Sequence, residues 1–330
     1  MTNNRYSLEK RKNHRSMIID ARKVFLLTGA LAGAIFFGSK GITQIATNLP
    51  AFNEATKEVQ LQEQGAQRQA DIVDQALNTQ NSEITESKDD EITNTQNSEI
   101  TEPEDDEYVS PYNFDQLHEV NEDIVAVIEG DIFNEGHYPV VSTENIDEEN
   151  YYLNHTPEGE YNTGGSIIAD FRNGGNYENN IEKNDDYGYV SIIWGHNFYH
   201  DSTGENSGEM FASITDYKSQ EYYNAHPTLK YYTPYGEYNL EIFAYVEEDA
   251  RNQLVGSYPA EDFVQKMYEI KDNSYISSDV VVNPGDHVYI LNTCTDISNQ
   301  NINEGDIYVR GSLYTVARPV NEKTYHSKSL

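Results

Sequence analysis

The chain has a single cysteine, Cys294, in 330 residues. No internal disulfide can form, so the fold rests on its core alone. Cys294 itself is either a small buried hydrophobe or a free thiol kept for its chemistry. Basic residues are scarce: 22 Lys and Arg stand against 56 Asp and Glu, a formal net charge of −34. That balance excludes nucleic-acid binding by a basic surface. It points instead to neutral or cationic partners. The uncharged apolar run at 24–39 is short of the ~20 residues a membrane-spanning helix needs. Extended past Lys40 to Ala46, with that lysine snorkelling, it comes into range.

What surrounds that run gives it meaning. Arg5, Lys10, Arg11, Lys12, Arg15, Arg22 and Lys23 precede it, against Glu9 and Asp20 alone. The expectation is a cytoplasmic basic tail over 1–23, an uncleaved signal anchor over 24–46, and everything beyond outside the cell. A cleaved signal peptide is the rival reading. The segment 47–107 reads as a stalk. Its first part, 52–77, is Gln- and Glu-rich and reads as a weakly amphipathic helical stem. A tandem repeat follows: Asn78 to Glu86 recurs at Asn94 to Glu102, and each copy leads into an acidic block. From Glu83 to Glu107 there are eleven acids and one lysine. Such a stretch is expected to be disordered and extended by its own charge.

The texture changes near Tyr108, and 108–318 is expected to be one folded domain with a flexible tail at 319–330. Tyr is abundant, at 26 residues, which leans towards β structure. Two short helical pieces are expected at 113–117 and 120–124, with Asn113 and Asn121 as N-caps. Strands are expected at 125–128, 138–142, 166–171, 189–194, 229–233, 237–245, 280–282, 287–291 and 307–317. Helices are expected at 210–214, 220–226 and, amphipathic through Phe263, Met267 and Ile270, at 260–270. A mostly β fold built as a closed or nearly closed barrel follows, rather than βαβ units.

Cys294 ends the apolar run Tyr289-Ile290-Leu291, and a polar segment follows it. His196 ends another apolar run in the same way, at Gly195-His196-Asn197. Two strand ends on one rim of a barrel bring both side chains to one groove. There an imidazolium favours the thiolate and later protonates a leaving amine. The structural alternative for His196 is a strand-end histidine bonded to backbone. The histidines His155, His200, His226 and His287 sit in turns or near element ends. His196 and His200 are four apart, but the stretch reads as a loop without a third ligand, so no metal is expected. For an oxyanion, arginine is the natural cationic donor, and Arg310 lies inside the last expected strand.

Taken together these residues resemble the class B sortases, cysteine transpeptidases of Gram-positive bacterial surfaces. The likeness runs from about Asn113 to Thr315. It includes Asn121-Glu122-Asp123, Tyr138-Pro139-Val140-Val141, Tyr151-Tyr152-Leu153-Asn154-His155 and Gly165 to Asn173. It continues through Ile192-Ile193-Trp194-Gly195-His196-Asn197, His226-Pro227 and Leu291-Asn292-Thr293-Cys294. The resemblance implies an eight-stranded sortase barrel with short N-terminal and surface helices. It assigns Cys294 as nucleophile and His196 as general acid and base, with Asp296, Asn197 and Thr293 in support. It implies cleavage of a C-terminal sorting signal of the LPxTG or NPxTN kind through a thioacyl-enzyme, without a cofactor. The partners are then surface proteins bearing that signal and an amine of a peptidoglycan precursor or a pilin. Substrate choice is expected in 246–258 and 260–275, which carry no readable code.

The chain departs from the pattern in three places. Asn292 replaces the usual Ser, Ala126-Val127 replaces the usual Gly-Trp, and Asp306 falls where the catalytic arginine is counted. Either a longer loop after Cys294 brings Arg310 into place, or the oxyanion donor is lost and the protein is a catalytically impaired peptide-binding or assembly module.

Overall fold

A computed structural model describes residues 57–77, 108–143, 150–173, 185–200, 205–295 and 309–320. The basic tail, the apolar run at 24–46, the acidic repeat, Asp296 and Asp306 lie outside the described residues, as does 321–330. The described residues from Leu61 onward belong to one compact unit.

Helix α1 spans 57–77. From Leu61 onward its buried residues are Gly65, Ala66, Gln69, Ala70, Val73 and Ala76. They recur every three or four positions, which makes one narrow face of small side chains. Val73 and Ala76 join Tyr112, Phe114, Leu117 and Val127 in one apolar cluster. The stripe read as weakly amphipathic is thus packed on the domain. Helix α2, Phe114–Val120, starts at Asn113, whose side chain accepts from the Gln116 N–H at 3.1 Å. The second helix expected from Asn121 does not form. Asn121 caps the end of α2, and its side chain accepts from the Asp123 N–H at 2.8 Å to turn the chain into a strand. Asn serves both uses because its amide competes with the helical backbone.

Eight strands close on one another: β1 (Ile124–Glu129), β2 (His137–Ser142), β3 (Ile167–Ala169), β4 (Tyr187–Trp194), β7 (Thr228–Thr233), β8 (Gly236–Asp249), β10 (His287–Cys294) and β11 (Val309–Pro319). The order is β10-β11-β8-β7-β1-β2-β3-β4, and β10 also pairs with β4, in parallel, to complete the barrel. This is the eight-stranded barrel that the resemblance implied. A short β9, Gly256–Pro259, adds to β4. β5 (Asn197–His200) and β6 (Glu205–Met210) form a separate hairpin where a loop was expected.

Alternation sorts the side chains of each strand into two layers. On β10, Tyr289 and Leu291 join Tyr245, Leu313 and Ile193 in the larger core. Val288 and Ile290 face the other way, with Val190, Ile192, Tyr314 and Val316, into a second layer. Helix α4 (Ala260–Asp272) covers that layer with Phe263 and Met267. Gly188 on β4 makes room for the Phe263 ring, since a Cβ there would stand 2.2 Å from it. Being covered on both sides, β4 and β10 read as continuous apolar runs.

Two further expectations change, and a third holds. No strand forms at 280–282. The Val280 carbonyl accepts from Lys271 Nζ and the Val281 carbonyl from Arg318 Nη2, each at 2.6 Å, so side-chain cations replace a ladder. The stretch 210–214 is the end of β6 followed by a 3₁₀ helix, Ala212–Lys218, entered through Met210 at φ 50°. The helix read at 220–226 is α3, Gln220–Ala225.

Candidate active site

Three strand ends meet where β4, β10 and β11 leave the barrel. β4 and β10 run in parallel as far as Trp194 beside Asn292. Three hydrogen bonds then fasten the residues that follow. The Gly195 N–H donates to the Asn292 carbonyl at 3.0 Å. Thr293 Oγ1 donates to the Gly195 carbonyl at 2.8 Å. Asn197 Nδ2 donates to the Cys294 carbonyl at 2.7 Å. His196 is therefore held between two residues that are each strapped to the cysteine strand. Gly195 is required by packing, because a Cβ would stand 2.5 Å from the Phe211 ring. The Phe211 N–H in turn donates to the His196 carbonyl at 3.0 Å.

The arginine is placed by register. β10 and β11 are antiparallel, and Cys294 lies directly opposite Arg310. Opposite residues point to the same face with Cβ atoms about 4.5–5.5 Å apart. The segment from Thr295 to Val309 is thus long enough to carry Arg310 into place, and the ~13 Å displacement along the strand that a count from Gly311 implied does not arise. Cys294, Arg310 and His196 are all half-buried.

The ring of His196 has a defined polarity. Nε2 lies 2.8 Å from the Leu153 carbonyl. A carbonyl only accepts, so Nε2 carries the proton and Nδ1 is left as the acceptor of the neutral ring. Its pKa is lowered, chiefly by burial and further by the positive charge of Arg310, while the Leu153 hydrogen bond works the other way. From sequence, a resting imidazolium beside a thiolate is expected. The surroundings favour the neutral ring, because burial and Arg310 both oppose a second positive charge there.

Of the residues singled out from sequence, Cys294, His196, Arg310, Asn197 and Thr293 come together at this corner, and Asp296 lies outside the described residues. Asn197 and Thr293 act through backbone carbonyls and align the two strand ends. Three of the other histidines named from sequence are engaged elsewhere, and the side chain of His200 lies outside what is described. His155 stacks on Tyr151 at 3.9 Å, His226 lies 2.9 Å from Asp131, and His287 is buried against Ser191. Sequence reasoning missed the Leu153 carbonyl. It lies within the quoted Tyr151–His155 motif, but a backbone oxygen has no signature of its own.

No family model matches the chain. Among curated proteins, sortase B of Listeria monocytogenes is 29% identical over 204 residues, which cover 60% of this chain and 73% of that protein. Sortase B of Staphylococcus aureus is 31% identical over 186 residues, 55% of this chain and 67% of that protein. The chain belongs to the class B sortases. Among solved structures, the Staphylococcus aureus sortase B–substrate complex matches this sortase with a TM-score of 0.50 at 27% identity. The match covers 63% of this chain and 85% of that one. The complex of the Staphylococcus aureus enzyme with MTSET matches with the same TM-score of 0.50, over 65% of this chain and 80% of that one. Sortases are cysteine transpeptidases, and this sortase carries its one cysteine at the corner just described.

Proposed function

We propose that this protein cleaves a C-terminal sorting signal of the LPxTG or NPxTN kind and passes the acyl group to an amine of a cell-wall precursor or a pilin. The observation that carries the reading is the register that sets Arg310 opposite Cys294, beside a histidine strapped to the same strand end. The Staphylococcus aureus relative solved with a substrate supports a peptide as the ligand.

Each group has a role in that reaction. Nδ1 of neutral His196 takes the thiol proton of Cys294 as the sulfur attacks the scissile carbonyl. The guanidinium of Arg310 stabilises the oxyanion that forms. His196, now an imidazolium disfavoured by burial and by Arg310, gives its proton to the leaving amine, and a thioester remains on Cys294. The acceptor amine attacks that thioester, loses a proton to His196, and the thiol is restored. The same lowered basicity that leaves His196 neutral at rest makes its protonated form a ready donor.

The impaired, peptide-binding alternative rested on a missing arginine, and the position of Arg310 supports the enzyme over it. We also carry forward the single-pass anchor at 24–46, with the catalytic domain outside the cell. The basic flank and the apolar run support it. Among the described residues no helix is long and apolar enough to cross a membrane, and that run is not among them.

Turnover of synthetic LPxTG- and NPxTN-type peptides with triglycine as amine tests the reading. The unaltered protein gives the triglycine-joined product, whereas Cys294→Ala and His196→Ala give none above background. Product formation undiminished in Cys294→Ala removes the proposal.

A further inference from the structure

The hydrogen bond that orients His196 leads away from the barrel. Its acceptor, the Leu153 carbonyl, belongs to the segment 150–166, whose two arms are tied together. The Ser166 N–H donates to the Tyr152 carbonyl at 2.9 Å, and the Asn162 N–H to the Asn154 carbonyl at 2.8 Å. Between them Gly165 adopts φ +54°, in the left-handed region that favours glycine. It lies so close that a Cβ would stand 2.5 Å from the carbonyl oxygens of both Tyr152 and Leu153. A displacement of 162–165 is therefore passed directly to the group that holds the histidine.

The arm 160–165 is gripped from outside the barrel, by α1. Gln69 Nε2 donates to the Gly165 carbonyl at 2.9 Å in a buried setting. Asn162 Nδ2 donates to the Leu61 carbonyl at 2.6 Å, and Gln62 Nε2 to Thr163 Oγ1 at 2.9 Å. Gly65 lets the helix press against Asn162, since a Cβ there would stand 2.3 Å from Nδ2. Arg68 pairs with Glu160 at the exposed rim. Gln69 is 1% exposed. Its Nε2 is bonded to Gly165, while its Oε1 has no partner among the described residues, so the Gly165 bond is what compensates the burial of this amide.

We infer that α1 is a positioning element of the active site: through Gln69 and the arm 160–165 it fixes the Leu153 carbonyl, and so the tautomer and orientation of His196. The helix encoded ahead of the acidic repeat thereby contributes to catalysis without touching substrate. The inference rests on the reading above in which His196 exchanges a proton with Cys294.

The test uses the full chain labelled with ¹⁵N-histidine. Two quantities are read: the imidazole tautomer of His196 by long-range ¹H–¹⁵N spectra, and kcat and KM with the sorting peptides and triglycine. Gln69→Met keeps the volume and removes the donor. It is expected to leave KM unchanged, lower kcat about two- to tenfold, the worth of one hydrogen bond, and show a mixture of His196 tautomers. Gln64→Ala, at an exposed position of the same helix, is expected to change neither. A Gln69→Met protein with unaltered kcat and a pure Nε2–H tautomer overturns the inference. If Gln69→Met does not fold, Gln62→Ala acts on the same arm from a partly exposed position, and unaltered values there overturn it equally. Cys294→Ala run in parallel separates the two claims. Turnover surviving in that variant defeats the functional reading, while the tautomer still reports on the positioning.

Discussion

Arg310 is where a single residue decides most. It lies directly across from a half-buried thiol and adds to burial in lowering the pKa of the His196 imidazole. In the proposed reaction it meets the charge that develops on the carbonyl oxygen. Loss of one oxyanion donor typically costs 10²–10³ in rate. Arg310→Ala is therefore expected to lower kcat by about that factor, with KM changed much less, and Arg310→Lys to recover only part, since an ammonium lacks the planar fork. Steady-state kinetics with the sorting peptides measures both. An Arg310→Ala variant with kcat within about twofold of the parent assigns the oxyanion to another donor. This residue also marks a limit of the sequence. Cys294 and His196 stand out because each ends an apolar run with a side chain of evident chemistry. The arginine does not, since register across a long connection is set by strand pairing, and a count from Gly311 puts Asp306 in its place.

Among the elements, β10 and β4 carry the site, and what joins them at the far end is a buried histidine. His287 begins β10 opposite Tyr189 of β4, with Nε2 2.8 Å from Ser191 Oγ and its ring stacked on Tyr289 at 4.4 Å. Burial lowers its pKa to about 3. The unfolded chain takes up that proton near pH 6.5. Between about 6.5 and 3 the unfolded state thus binds a proton that the folded state refuses. The contribution is complete above pH 6.5 and lost as pH falls through that window, at up to about 1.4 kcal/mol per pH unit. His287→Gln is expected to show a smaller drop in denaturant midpoint between pH 7 and pH 4.5 than the unaltered protein. Equal drops would show that His287 does not titrate on unfolding.

The same two strands show why some elements were legible and others were not. A strand covered on both sides is an unbroken apolar run, and β4 and β10 declare themselves that way, while β8 alternates buried and half-buried residues before its apolar stretch. The hairpin β5–β6 is polar and carries no alternation to read. At 280–282 the apolar run is real, and Val282 is buried. Its carbonyls are taken by Lys271 and Arg318, which no local pattern foretells. Asn121 has a capping residue's composition at either end of a helix, and only tertiary partners choose. Its Nδ2 donates to Tyr152 Oη and to the Pro157 carbonyl, at 2.6 and 2.8 Å.

For the whole molecule, the chain order takes on a different sense. The acidic repeat separates α1 from Tyr108 in sequence, yet from Leu61 on α1 packs with the barrel it precedes. The repeat thus joins two parts of one folded unit. Composition marks the Gln-rich helix, but it gives no sign of which Gln is buried against Gly165. The strongly acidic chain, the single thiol and the barrel corner converge on one central claim, that Cys294 takes up the acyl group of a peptide.

Intact-mass spectrometry of the full chain incubated with a sorting peptide, without acceptor amine, tests that claim most directly. The expected result is a mass increase equal to the peptide portion ahead of the cleaved bond, located on the fragment that contains Cys294, absent in Cys294→Ala and discharged by triglycine. An adduct on any other residue, or peptide cleavage that proceeds in Cys294→Ala, would contradict it.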